Sequence, residues 1–317
     1  MPPVKKSPEN APAARPKDAV DSALGLVGPT FEFLTANFMS LFFKMLKVEL
    51  AVMLVNIGLM VLAGLVAAGM LAAAGAPFTS VNALVNYVAG NRMLLALVAI
   101  WALVAELAIA WMSNSISFTA LPIVKEQFEG AYSGIWSLSG KMRLRVLGYI
   151  LLNFVIMVVF LGIPLLLLFL LLGHPNLFLI SLIVFALYAT AFLLAYIFLS
   201  QFWRWELTLG EKQAYEALSA SVSLIRENLF GVAVYDAVFV LSYLALAVPF
   251  MLLAFGVSIL FSGLGLGAAL ISPLAYLAVM AASALVRVLL GLLDASLSNS
   301  ALLPYTYSFW NGIRKKQ

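Results

Sequence analysis

Residues 146–172 read VLGYILLNFVIMVVFLGIPLLLLFLLL and residues 177–198 read LFLISLIVFALYATAFLLAYIF, with only the turn Gly173–Asn176 (GHPN) between them. Neither run carries an acidic or basic side chain. A helix needs roughly 20 apolar residues, at about 1.5 Å rise each, to cross a bilayer core. A transmembrane barrel strand needs only about 9–11 residues and alternates in polarity. The two runs therefore read as a helical hairpin with lipid on its outside.

Working outward, four more stretches qualify, at about 48–74, 93–112, 229–255 and 273–297. The reading is an all-α, polytopic transmembrane helical bundle of about six spans. Composition agrees: 64% of the 317 residues are hydrophobic and 10% charged, against about 45–50% and 25% in a soluble domain. A water-soluble fold of this size could not hide that much apolar surface. The net charge of +4 does not point to nucleic acid, because the basic residues fall between the apolar runs instead of clustering on one soluble face. There is no cysteine, hence no thiolate nucleophile or Cys-based metal site.

Lys and Arg placement orients the bundle. The N-terminal segment holds Lys5, Lys6, Arg15, Lys17, Lys44 and Lys47; the second-to-third connection holds Lys125, Lys141, Arg143 and Arg145. Arg204, Lys212 and Arg226 follow the fourth span, and Arg314, Lys315 and Lys316 close the chain. Of 18 Lys and Arg, only Arg92 falls on the other side and only Arg287 within a span. Cytoplasmic loops carry such an excess, so both termini are expected inside a cytoplasmic membrane.

Residues 1–28, rich in Pro, Ala and charge, are expected to be a disordered cytoplasmic tail, and residues 29–317 a single transmembrane domain. The outer connections, 75–92, 173–176 and the Gly-rich 256–271, are too short or bland for a folded domain. The inner ones are long and amphipathic. AYSGIWSLSGKMRLRVLG (131–148) and AYEALSASVSLIRENLFG (214–231) share an opening Ala-Tyr and a closing Gly, and each following span carries a proline, Pro164 or Pro249. Residues 29–50 are a looser equivalent. This predicts an interfacial helix plus hairpin used three times, over 29–112, 131–198 and 214–303, with the amphipathic helices lying in the cytoplasmic leaflet.

The segment LGEKQAYEALSASVSLIRENLFGVAVYDAVF, with its acidic Gly-flanked turn, and the closing LPYTYSFWNGIRKK resemble a pattern of uncharacterised prokaryotic six-span membrane proteins. That group includes the membrane domain of glycerophosphodiester phosphodiesterase-like proteins. The resemblance covers roughly residues 30–317. It implies six spans in a prokaryotic cytoplasmic membrane and no substrate; the phosphodiesterase barrel has no counterpart here, and no catalytic residue carries over.

Four ionisable side chains fall inside the spans: Glu106, Arg287, Asp236 and Asp294. Such groups are costly in hydrocarbon and usually face the bundle interior. Glu106 and Arg287 stand at similar depth and are expected to pair; Asp236 and Asp294 are expected near each other in the inner half. The set reads either as an ion or ligand path or as structural pairing. His174 stands alone in a turn, no His/Glu cluster has metal-ligand spacing, and no phosphate loop or nucleophile motif is present. No catalytic, metal or cofactor site is therefore expected. The tryptophans, Trp101, Trp111, Trp136, Trp203, Trp205 and Trp310, mostly flank span ends as an aromatic belt. Asn56 and Asn153 are candidates for interhelical hydrogen bonds, and Pro164 and Pro249 for kinks.

These features favour a non-enzymatic scaffold or membrane-organising module that touches anionic lipid on the cytoplasmic leaflet, with protein partners or a second copy. The alternative is a transporter or channel for a small solute or ion that uses the intramembrane charges.

Overall fold

The computed structural model describes residues 24–77, 80–129, 140–170 and 175–315. His174, Trp136 and most of the proposed tail lie outside the described residues. Among the described residues eleven α-helices follow one another: α1 Val27–Ala73, α2 Val81–Gly90, α3 Arg92–Ser117, α4 Ala120–Glu129, α5 Gly140–Met157, α6 Ile163–Phe169, α7 Pro175–Ser200, α8 Trp203–Thr208, α9 Ala214–Glu227, α10 Leu229–Ile271 and α11 Pro273–Arg314. A π-helical turn, Val158–Gly162, joins α5 to α6. Among the described residues six helical stretches are long and apolar enough to cross a membrane, as the sequence predicts.

Local chemistry sets the breaks. Ser80 caps α2 by accepting from Ala83 N, and Asn91 caps α3 by accepting from Leu94 N, each at 3.1 Å. Ser272 accepts from Ala275 N at 3.1 Å, with Pro273 in the first turn of α11 where its missing N–H costs nothing. Pro164 lies two residues beyond the π turn, as the second residue of α6. A proline has no N–H for the residue four before it and its ring crowds that carbonyl, so the helix widens there. Pro249 and Pro304 both lie within unbroken helices.

Two expected boundaries shift. Residues 29–50 do not form a separate element but are the start of α1, an unbroken helix of 47 residues, about 70 Å long at 1.5 Å per residue. The supposed outer loop 256–271 is the end of α10. Its glycines are poor helix formers in water, but an apolar segment near lipid satisfies its backbone only by staying helical.

In space α11 packs against both α10 and α1, α1 against α3, and α3 against α5, while α6 meets α7. The spans thus neighbour one another in the order five, six, one, two, three, four. Their most apolar stretches leave nearly every side chain unburied. The packed core sits instead at the basic end, where the connections meet. One cluster joins Leu41 and Met45 of α1, Val124 of α4, Trp205 of α8, Ile225 of α9 and Phe309 of α11. A second gathers Phe118, Val146, Trp203 and Ala217. Leu26 and Ile313 belong to the first cluster, so the two ends of the described chain lie at this same end.

This core changes the reading of the connections. The apolar faces of α4 (Leu121, Ile123, Val124) and α9 (Ala217, Leu224, Ile225) are buried against protein and do not lie free in the plane of a leaflet. The tryptophans are also redeployed. Trp203, Trp205 and Trp310 are only 1%, 3% and 2% exposed, too buried for an interfacial belt. Indole N–H groups tie elements together instead: Trp101 donates to Ala63 O at 3.1 Å, Trp111 to Arg143 O at 3.0 Å and Trp203 to Ala214 O at 2.8 Å.

Candidate functional site: a polar-floored cleft at the basic end

The turn after the fourth span, WRWELTLGEK (203–212), builds the site. Four of its first five residues, Trp203, Trp205, Glu206 and Leu207, are buried, so α8 is a plug, not a loop. Glu206, 1% exposed, accepts from Trp310 Nε1 at 2.9 Å and pairs with Lys212 Nζ at 2.7 Å, with Arg314 Nε at 4.0 Å. The chain doubles back tightly to allow this. Gly210 packs on the Glu206 carbonyl, where a Cβ would stand 2.5 Å from the oxygen. Glu211 adopts a positive φ of 55°. Glu216 Oε2 then accepts from Gln213 N at 3.2 Å as α9 begins.

Arg204, on the other face of α8, points its guanidinium over the Phe118 ring, 4.5 Å from the centroid, and donates to Ser117 Oγ at 3.1 Å. Its charge is opposed by Glu49 of α1, which accepts from Asn299 Nδ2 of α11 at 2.6 Å. One network therefore links α1, α3, α8 and α11 in a region poor in water, where matched polar partners matter most.

Arg204 and Asn299 also line a half-open cavity of about 570 Å³ between α7, α10 and α11. Gln201 and Asp236 complete its floor, with the Gln201 side chain beside the Asp236 carboxylate. Tyr235 and Thr306 close one corner through a 2.7 Å hydroxyl–hydroxyl bond. The walls are apolar, with Leu194, Ile197, Val240 and Leu303 among them. Leu194, Ile197 and Val240 are exposed on the bundle surface, so the cavity opens sideways. Arg204 Nε and Gln201 Nε2 are buried without a hydrogen-bond acceptor, unusual for buried polar atoms.

Of the four charges singled out from sequence, only Asp236 lines this cavity. Glu106 and Arg287 are exposed on the surfaces of α3 and α11. They do not meet, because α1 packs between those two helices. Asp294 is half-buried and is approached by Ser298 Oγ of its own helix at 3.4 Å, with no link to Asp236. The polar candidates fared differently: Ser113 donates to Asn56 across α3 and α1, and Tyr196 donates to Asn153 at 2.9 Å across α7 and α5. Among the described residues no group of three or more His, Asp or Glu is placed to hold a metal ion.

Sequence reading missed Glu49, Arg204 and Glu206. Glu49 stands at the edge of the first apolar run and passed as a flank. Arg204 counted only as a basic residue after the fourth span and Glu206 was not singled out, yet their setting among Trp203, Trp205 and Leu207 was a signal, since charges interleaved with large aromatics are seldom solvated.

No known protein family, curated protein or solved structure matches the chain. The six apolar helices define an integral, multi-pass membrane protein.

Proposed function

We propose that this protein is a non-enzymatic membrane-organising module that takes a membrane lipid into the cleft between α7, α10 and α11. The observation that carries this reading is the division of the cleft: Arg204, Gln201, Asn299 and Asp236 at its basic end, and a wall of aliphatic side chains running from there along the spans. A polar headgroup and an acyl chain need that division. The volume of about 570 Å³ suits part of a lipid, since small-molecule pockets run at about 300–1,000 Å³. The Lys and Arg gathered around this end add an attraction to anionic lipid of about 1 kcal/mol each near the surface. In this reading the termini and the basic end face the cytoplasm, as the charge bias requires, and the resemblance to the phosphodiesterase-associated membrane domains is one of six-span architecture without chemistry.

The test is native mass spectrometry of the full chain released from membranes, comparing the parent with Val240→Trp, which fills the cleft, and Arg204→Gln, which removes its cation. Both variants are expected to lose a co-purifying lipid that the parent retains. Retention of the same lipid in a folded Val240→Trp protein would reject the cleft. The transport reading keeps one observation in its favour, an Asp236 carboxylate on the cleft floor. Proteoliposome ion flux lost in Asp236→Asn but kept in Val240→Trp would favour it.

A further inference from the structure

Glu106 and Arg287 raise a problem that the single chain does not solve. Each is exposed on the bundle surface within an apolar span, where a charge facing hydrocarbon is costly. Neither has a hydrogen-bond or ion-pair partner among the described residues. Exposed apolar side chains stand close to each in sequence, Leu103 one turn before Glu106 and Val288 directly after Arg287.

The two positions match in depth. Each stands fourteen residues beyond the first residue of its helix, Arg92 or Pro273, about 21 Å at 1.5 Å per residue. The other end gives the same result. Leu121, just past the turn that closes α3, and Leu302 of α11 line the same cavity, and Glu106 and Arg287 each precede their marker by fifteen residues. Opposite charges therefore lie at one level of the membrane, on helices held apart within the chain by α1.

Their surroundings are also alike. On α3, Ala102 and Ala99 lie one and two turns before Glu106 on its face; on α11, Ala284 and Gly291 flank Arg287 one turn either side. All four are exposed, and a Cβ added at Gly291 would meet nothing within 4 Å. Small residues let a second helix approach closely, which is how membrane helices associate.

We infer that a second copy of this chain covers these strips, with α3 of one copy against α11 of the other and Glu106 paired with Arg287 between them. The pairing removes both charges from lipid at once and uses two faces the monomer leaves open. It does not depend on what occupies the cleft: α11 reaches the cleft through Asn299, Leu302, Leu303 and Thr306, twelve or more residues beyond Arg287.

The absence of cysteine makes the test direct. Two differently tagged full-length proteins, Glu106→Cys and Arg287→Cys, are co-expressed and oxidised in native membranes. The expected product carries both tags and runs at twice the 34.2 kDa chain mass. Leu187→Cys, exposed on α7, replaces either partner as the control and is expected to give none. Absence of the mixed product, or equal yield with Leu187→Cys, overturns the inference. A second measurement guards against loss of the native pair in the cysteine proteins: particle mass in lipid nanodiscs. Glu106→Arg is expected to reduce the assembly to single chains, and adding Arg287→Glu to restore it. A monomeric parent, or a folded swap that stays monomeric, overturns it equally.

Discussion

Trp310 Nε1 donates to the Glu206 carboxylate at 2.9 Å across 104 residues of sequence, fastening the last helix to the turn that follows the fourth span. The same carboxylate holds Lys212 at 2.7 Å, so one buried acid fixes α8, the LGEK turn and the end of α11. Glu206→Ala would leave the indole N–H without an acceptor and Lys212 without its partner. It is expected to destabilise the protein by about 1–3 kcal/mol, the cost of stranding a buried donor. Trp310→Phe keeps a ring stacked 6.0 Å from Trp205 and is expected to cost less, about 1 kcal/mol for the lost bond. Thermal unfolding in detergent, followed by tryptophan fluorescence or by circular dichroism for the Phe variant, reads both. A Glu206→Ala protein as stable as the parent would show that α11 docks without this acid.

Gly210 has a sharper constraint. Its nearest foreign atom is the Glu206 carbonyl oxygen, 2.5 Å from where a Cβ would sit, and that oxygen also accepts from Lys212 N at 3.3 Å. Backbone cannot swing aside as a flexible side chain would. Gly210→Ala is expected to cost about 1–3 kcal/mol, as overpacking does, whereas Gly256→Ala, with nothing within 4 Å, is expected to be neutral or stabilising. Equal melting temperatures for the two would contradict the tight turn.

Hydrogen bonds between spans should prove modest. Tyr196→Phe removes the 2.9 Å bond to Asn153 that links α7 to α5, and α7 has few other ties along its apolar length. Interhelical bonds in membranes average about 0.6 kcal/mol by double-mutant cycles. A cycle over Tyr196→Phe and Asn153→Leu is expected to return a coupling of that order. Strictly additive losses would mean that the two side chains do not interact.

The sequence carried the spans because lipid imposes a rule on each apolar run separately: enough length, no uncompensated charge, backbone bonded internally. It carried Asn56 and Asn153 for the same reason, since a polar amide in such a run must find a partner. It did not carry which helices touch. Glu106 and Arg287 have matched depth, yet depth says nothing of neighbours, and α1 lies between them. The site was hidden by a different assumption, that residues between spans face water. Arg204 and Glu206 lie in a connection, but Trp203, Trp205 and Leu207 bury it, and only tertiary packing shows that α8 is core. Helix ends at 50 and 256 were misplaced because amphipathicity and glycine mark loops in water, whereas α1 and α10 continue through both.

Topology can be tested one position at a time. Among the described residues every Lys and Arg except Arg92 and Arg287 flanks the same ends of the spans, and Leu26 and Ile313 pack into one core there, so the two ends of the described chain share a side whichever side it is. The charge rule assigns that side to the cytoplasm. The long helices make some positions better reporters than loops. Gly267, exposed and with open space where a Cβ would stand, lies thirty-eight residues beyond the start of α10, about 57 Å at 1.5 Å per residue, well past a bilayer core of about 30 Å. Val85 on α2 is exposed in the opposite connection. Single cysteines at 85 and 267 are expected to react with a membrane-impermeant maleimide added to intact cells. Cysteines at 10, 127, 212 and 315 are expected to react only after lysis. Labelling at 127 or 315 from outside would reverse or break the six-span arrangement. A break, unlike a reversal, would also remove the common depth of Glu106 and Arg287, and with it the basis for pairing two copies.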